Sequence, residues 1–149
     1  MNLRHVLYTS QAVLPTDPVG RNASIISILT SARKFNQQHD LTGYLTLVDG
    51  QFLQILEGNA DPLKDVLLKI SQDTRNDRMV VLEQSDIEDR MFSDWNMGCS
   101  LAPELINTAL NFAGIAADAA FAETSSGALK TFLVMLSNIS ARRNAELAS

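Results

Sequence analysis

Apolar positions along the chain alternate between two periods, and the switches mark out its secondary structure. Residues 3–9 (LRHVLYT) are few, with β-branched and aromatic side chains among them, which predicts a buried strand. Pro15, Asp17, Pro18 and Gly20 then break the pattern. From about residue 22 to 38, Ile25, Ile28, Leu29, Ala32 and Phe35 recur at helical spacing, with Arg33, Lys34 and Gln37 on the polar back. Two apolar runs, 41–48 and 51–57, flank Asp49-Gly50, a pair that tolerates positive φ at both turn positions and predicts a hairpin. Asp61-Pro62 reads as an N-cap followed by proline at the first helical position. Leu63, Val66, Leu67 and Ile70 carry that second helix to a stop near Asp73. Residues 79–82 predict a fourth strand and 95–101 a fifth.

The order β-α-β-β-α-β-β followed by a helical tail defines an α+β fold. Its core is a ferredoxin-like βαββαβ sheet with an added fifth strand and both helices on one face. Strands one and three are expected side by side and parallel at the centre. Pro103 opens a first tail helix that Gly114 interrupts; a second runs from about Ser125, with Leu129, Phe132, Leu133, Leu136 and Ile139 on one face. The tail is expected to cover the sheet's open face. Residues 1–101 are then a core domain, and 102–149 a helical extension of the same globular unit.

Composition narrows the functional classes. A chain of 149 residues is one domain in size, and 46% hydrophobic residues is normal for a folded protein. A net charge of −5 is a poor match to a phosphate backbone, so no nucleic-acid partner is expected. The N-terminal segment lacks a signal-peptide apolar region, and no run approaches the roughly 18 apolar residues of a membrane span. With Cys99 as the lone cysteine, the expected location is a reducing cytoplasm, with no membrane association. His5, His39 and Cys99 stand too far apart to propose a metal site, and the scattered glycines form no phosphate loop.

A few residues do not fit a plain core. Gln54 sits inside Phe52-Leu53-Gln54-Ile55-Leu56, where a buried amide without partners costs about 1–3 kcal/mol. Backbone or water can satisfy it, and so can a neighbour: Tyr8, near the end of the adjacent first strand, is placed to bring its hydroxyl there. Asn36 ends the first helix, and Asp73 and Arg75 end the second. An asparagine amide both donates and accepts, and an arginine donates to carbonyls without deprotonating. Their plainer readings are a helix cap and a surface ion pair worth at most about 1 kcal/mol. Trp95 and Met97, two apart on a strand, would share a face of the core.

Read together, these residues carry a resemblance. The stretch 36–58, NQQHDLTGYLTLVDGQFLQILEG, with its Thr42-Gly43 step and Gln54-x-x-Glu57-Gly58 end, resembles the flavin-binding signature of the BLUF family. Tyr8-Thr9-Ser10, Asp73-Thr74-Arg75 and Phe92-Ser93-Asp94-Trp95-Asn96-Met97-Gly98 resemble the family's opening strand, second-helix exit and last strand, in order and at family spacing. The likeness runs from about residue 3 to 101 and, in length, to the short stand-alone members.

The resemblance implies a blue-light photoreceptor with FAD, or FMN, held non-covalently between the two helices. It implies reversible light-driven electron and proton transfer between Tyr8 and the flavin, with no net reaction. Gln54 would be the switch in hydrogen bonding. Asn36 and Arg75, with Asp73 beside them, would hold the ring edge, and Ile28 and Ile70 would pack on its faces. Trp95 and Met97 would relay the change to a separate effector protein or a homo-oligomer interface. Phe35 and Asn76 stand where the family often has polar and histidine residues. A flavin-dependent oxidoreductase and an interaction module that has lost its flavin are the competing readings.

Overall fold

A computed structural model describes residues 3–148. Its elements are β1 (Leu3–Ala12), α1 (Pro18–Gln38), β2 (Thr42–Val48), β3 (Gln51–Asn59), α2 (Ala60–Gln72), β4 (Asn76–Asp86), β5 (Gly98–Cys99), α3 (Pro103–Ala113) and α4 (Ser126–Ala148), with a short 3₁₀ turn at Phe121–Glu123. Met1, Asn2 and Ser149, which the expected ranges 1–101 and 102–149 include, lie outside the described residues.

Asp49 and Gly50 both take positive φ, 51° and 76°, the geometry a two-residue hairpin needs, and they fold β2 back onto β3. The crossover through α1 makes β1 run the same way as β2, and β3 inserts between them. The five strands therefore lie in the order β4-β1-β3-β2-β5. Strands β1 and β3 are central neighbours, as expected, but antiparallel rather than parallel, because the hairpin has already reversed the chain. That register sets Tyr8 directly opposite Gln54.

Helix starts differ from the sequence reading for local reasons. Asp17 caps α1, which begins at Pro18, about four residues before the expected start, its carboxylate accepting from Gly20 N at 2.7 Å. Asn59, not Asp61, stands at the N-cap of α2; Asp61 lies in the first turn, where its charge suits the helix dipole. Strand β4 extends to Asn76–Asp86, because β1 offers it a partner along nearly its whole length. Strand β5 shrinks to Gly98–Cys99, paired parallel to β2.

Alternation along the central strands loads the two faces differently. Val6, Tyr8, Leu45, Phe52 and Leu56 face α1 and α2 in one apolar cluster. Leu7, Tyr44, Leu53 and Ile55 face the other way and pack with Ile106, Leu110, Phe121, Leu129, Phe132, Leu133 and Leu136 of the tail. Gly114, in the left-handed region at φ 73°, ends α3 and lets the chain turn back toward α4. Trp95 and Met97 do not share a face. Trp95 lies in the loop before β5 and meets Tyr44 edge-on at 6.3 Å on the tail side, whereas Met97 is buried on the helix side.

Because the tail completes the core rather than decorating it, Phe132→Ala should cost about 3–5 kcal/mol. Urea denaturation should show one cooperative transition at lower midpoint, with no separate early loss of tail helix.

Candidate functional site: a polar pair beneath a two-helix cleft

Between α1 and α2, over the β1–β3 centre of the sheet, lies a cavity of about 180 Å³. A single ordered water needs roughly 10–15 Å³, so this space suits a ligand several rings in size. Ile28, Ala32, Phe35 and Asn36 line it from α1, and Val66, Lys69 and Ile70 from α2. Both sets follow helical spacing and so project from one face of each helix. Leu45, Phe52 and Leu56 form the apolar floor, interrupted by Tyr8 and Gln54.

At that floor the Tyr8 hydroxyl donates to Gln54 Oε1, and Gln54 Nε2 donates to Met97 Sδ at 3.2 Å. A thioether accepts but cannot donate. With Met97 on one side, the amide must turn its NH2 toward sulfur and its carbonyl toward the phenol. Gln54 is thus satisfied by side chains, and its orientation is set by which neighbours can accept.

Burial, reinforced by the negative charge of Asp73, pushes the Tyr8 phenol well above the ordinary tyrosine range. The hydroxyl therefore keeps its proton and remains a donor at neutral pH. Asp73 is held ionised, below the usual carboxylate range, chiefly by hydrogen bonding from Arg75, whose Nη2 lies 2.6 Å from Oδ2. Arg75 Nη1 also donates to Ser27 Oγ at 3.1 Å, tying the exit of α2 to α1. Three of the five guanidinium N–H groups are spent this way, leaving two for a ligand carbonyl at the cleft rim.

Asn36 is fully buried, and it is not a helix cap. Its Nδ2 donates to Asn96 O at 2.5 Å, while its Oδ1 is buried without a partner among the described residues. An orphaned acceptor in a cleft wall is the counterpart of a ligand N–H. Phe35 lies under the Lys69 ammonium, 4.2 Å from the ring centre, and packs on His39 at 4.1 Å, so the wall there is cationic as well as apolar. Asn76 donates to Ile70 O and Asp73 O, both at 2.9 Å, and so closes the end of α2.

The structure thus brings Tyr8, Gln54, Asn36, Asp73, Arg75, Ile28 and Ile70 to one cleft, with Met97 behind Gln54. Trp95 is the exception, lying across the sheet. Glu57 had no role in the sequence reading beyond its place in the motif. It is fully buried on the tail side and accepts from Met91 N at 2.6 Å, Phe92 N at 3.0 Å and Thr42 Oγ1 at 2.9 Å. It fixes the loop that leads to Met97. A glutamate at a strand position flanked by buried apolar residues was the available signal, because a buried carboxylate requires donors. Lys69 was also legible, three residues after Val66 and so on the same side of the helix.

Comparison with known proteins identifies the family. Residues 3–98 match the family model of BLUF, sensors of blue-light using FAD. Photoactivated adenylate cyclase subunit beta of Euglena longa is 33% identical over 107 residues, 71% of this chain, and the corresponding Euglena gracilis subunit is 31% identical over 71% of it. The chain spans only 12% of the length of each of these relatives. Among solved structures, BlsA in its photo-activated state matches with a TM-score of 0.78 and 28% identity, over 91% of this chain and 94% of that one. The BLUF protein BlrB in its dark state gives 0.66 and 28%, over 74% and 81%.

The chain therefore belongs to the BLUF family of blue-light sensors, whose cofactor is FAD. Residues 3–98 are thus a flavin-based light-sensing domain by family. The apolar cleft, the orphaned Asn36 Oδ1 and the uncommitted Arg75 N–H groups fit the polar edge and flat faces of that cofactor. No described helix is long and apolar enough to cross a membrane.

Two measurements follow from the buried groups. A phenol ionising near 10 when unfolded but higher when folded keeps its full stabilising effect below about pH 10 and loses it as pH rises. Between about pH 9 and 11 the Tm of the wild type should fall more steeply than that of Tyr8→Phe; Tyr44, also pushed up by burial, supplies the slope that remains. Glu57→Gln, which turns an N–H toward a backbone donor, should destabilise by about 1–3 kcal/mol in urea denaturation.

Proposed function

We propose that Tyr8 and Gln54 are the photoactive pair and that the signal leaves through Met97 and the loop before β5. The single observation carrying this reading is the unbroken chain Tyr8–Gln54–Met97, buried in the cleft floor. Asn36 and Arg75 would hold the pyrimidine edge, with Ile28 and Ile70 against the ring faces. The bound flavin supplies the absorption of blue light and a reversible site for an electron and a proton.

The protein's own share is a proton and an amide. Tyr8 enters protonated and hydrogen-bonded, so its proton has a short path along the pair. Gln54 presents opposite hydrogen-bonding character at its two ends. Reorienting or tautomerising it changes which neighbours are satisfied without creating charge in a low-dielectric site. An amide turned so that its carbonyl meets Met97 Sδ pairs two acceptors, and Met97 must then move. Trp95, across the sheet against Tyr44, would register that motion on the tail side.

The output reading extends further. Relatives named as photoactivated adenylate cyclases, and a solved bacterial light-regulated adenylyl cyclase that matches 68% of this chain, tie such a unit to an effector. The near end-to-end match with BlsA supports a separate effector or a homo-oligomer interface here, with residues 1–101 as the sensing unit and 102–149 as its extension. Cys99, the lone cysteine, can form no internal disulfide, which fits a cytoplasmic setting.

Purified protein supplied with flavin should be yellow, and blue light should shift its absorption reversibly to the red. Tyr8→Phe and Gln54→Leu should each retain flavin and abolish the shift. A colourless wild type, or a normal photocycle in either variant, rules out the assignment.

A further inference from the structure

We propose that Arg33, on α1 but not among the residues that line the cleft, is a positioning residue that holds Met97 in reach of Gln54. The inference rests on the reading of Tyr8, Gln54 and Met97 given above. Its starting point is the shortness of β5: strand pairing with β2 begins only at Gly98, so it cannot by itself fix the residues before it.

Instead, three successive carbonyls of that segment are each taken by a different donor. Trp95 O accepts from Gly43 N at 3.0 Å, Asn96 O from Asn36 Nδ2 at 2.5 Å, and Met97 O from Arg33 Nε at 3.0 Å. Asn96 Nδ2 adds a weaker tie to Leu41 O at 3.3 Å. Two of the three donors are side chains of α1 placed three residues apart, hence on one face of the helix. Asn36 also lines the cofactor cleft, so its effect cannot be separated from cofactor binding. Arg33 touches neither the cleft nor Gln54. Whatever it does to Gln54 passes through the main chain of residue 97.

The consequence is an equilibrium set from outside the pocket. With Met97 O gripped, Sδ stays at 3.2 Å from Gln54 Nε2 and the amide has its acceptor. Without that grip Met97 withdraws more readily, and the arrangement in which Gln54 has turned away from it gains population. The return to the dark arrangement, which must bring Sδ back, is correspondingly slower.

Arg33→Gln isolates the hydrogen bond, because the glutamine Nε2 stands the same number of bonds from Cα as the arginine Nε. Arg33→Lys keeps the charge but places a methylene there. Full-length protein loaded with FAD should recover in the dark on the order of five-fold more slowly in Arg33→Ala and Arg33→Lys, the size of one lost hydrogen bond. Arg33→Gln should stay close to the wild-type rate, and all three should keep the wild-type flavin content and dark absorption maximum. In a Met97→Leu background, Arg33→Ala should have no further effect.

A second readout needs no photocycle. The ¹³C-labelled Met97 methyl resonance of the dark protein should move in Arg33→Ala and hold in Arg33→Gln. Unchanged recovery together with an unmoved resonance in Arg33→Ala overturns the proposal. So does Arg33→Gln behaving like Arg33→Ala, or an Arg33 effect that persists with Leu at 97. A wild type that shows no red shift counts against the photoreceptor reading alone, and the methyl resonance still decides Arg33.

Discussion

A primary amide buried in a central strand must have its donor and acceptor ends satisfied, and much of the cleft follows from that requirement at Gln54. The antiparallel register of β1 and β3 supplies one partner by setting Tyr8 across from it. The other is Met97, which arrives from a distant part of the sequence and must be delivered accurately. Glu57 pins the start of the delivering loop and side chains of α1 pin its end. Polar groups that look incidental one at a time are supports for a single hydrogen-bonded chain.

The sheet gives this chain two different surroundings. On the helix side, α1 and α2 leave a cavity over the centre of the sheet; on the tail side, aliphatic and aromatic side chains of α3 and α4 pack directly against it. A close-packed layer transmits displacement poorly by continuous deformation and better by switching between discrete packings. The helix side and the tail side of the sheet therefore differ in how they are packed. The loop from Met91 to Met97 contacts both, with Phe92 and Trp95 in the tail-side cluster and Met97 beneath the cleft.

Much of this was legible in the chain itself. Asp49-Gly50 announced the hairpin, Gln54 stood out as a polar residue in an apolar strand, and the family resemblance, rather than spacing, implied that Ile28, Asn36 and Ile70 face a common space. The direction of β1 against β3 was misread because adjacency and direction are separate matters: the crossover and the hairpin together decide the second. Trp95 and Met97 were assigned a shared face on the premise of a strand, and the premise fails because regular pairing starts only at Gly98. Strand-like composition cannot reveal where a partner edge runs out. Arg33 was hidden for a different reason: its partner is a main-chain carbonyl, which carries no residue-type signal in a sequence, and two of the three donors to Glu57 are main-chain groups as well.

The two-residue β5 bears on how the molecule opens. Beyond the pairs Tyr44–Gly98 and Leu45–Cys99, the outer edge of β2 is guarded by a single main-chain bond at Gly43 and by Thr46 Oγ1 donating to Ser100 O at 2.9 Å. Local opening free energies scale with such contacts, from nearly nothing at loose margins to the full unfolding value in the core. The margin of the sheet, with fewer main-chain bonds than its centre, is where local opening is expected first. Amide exchange would be fast at one and slow at the other, and the chromophore cleft sits on the boundary between the two regimes.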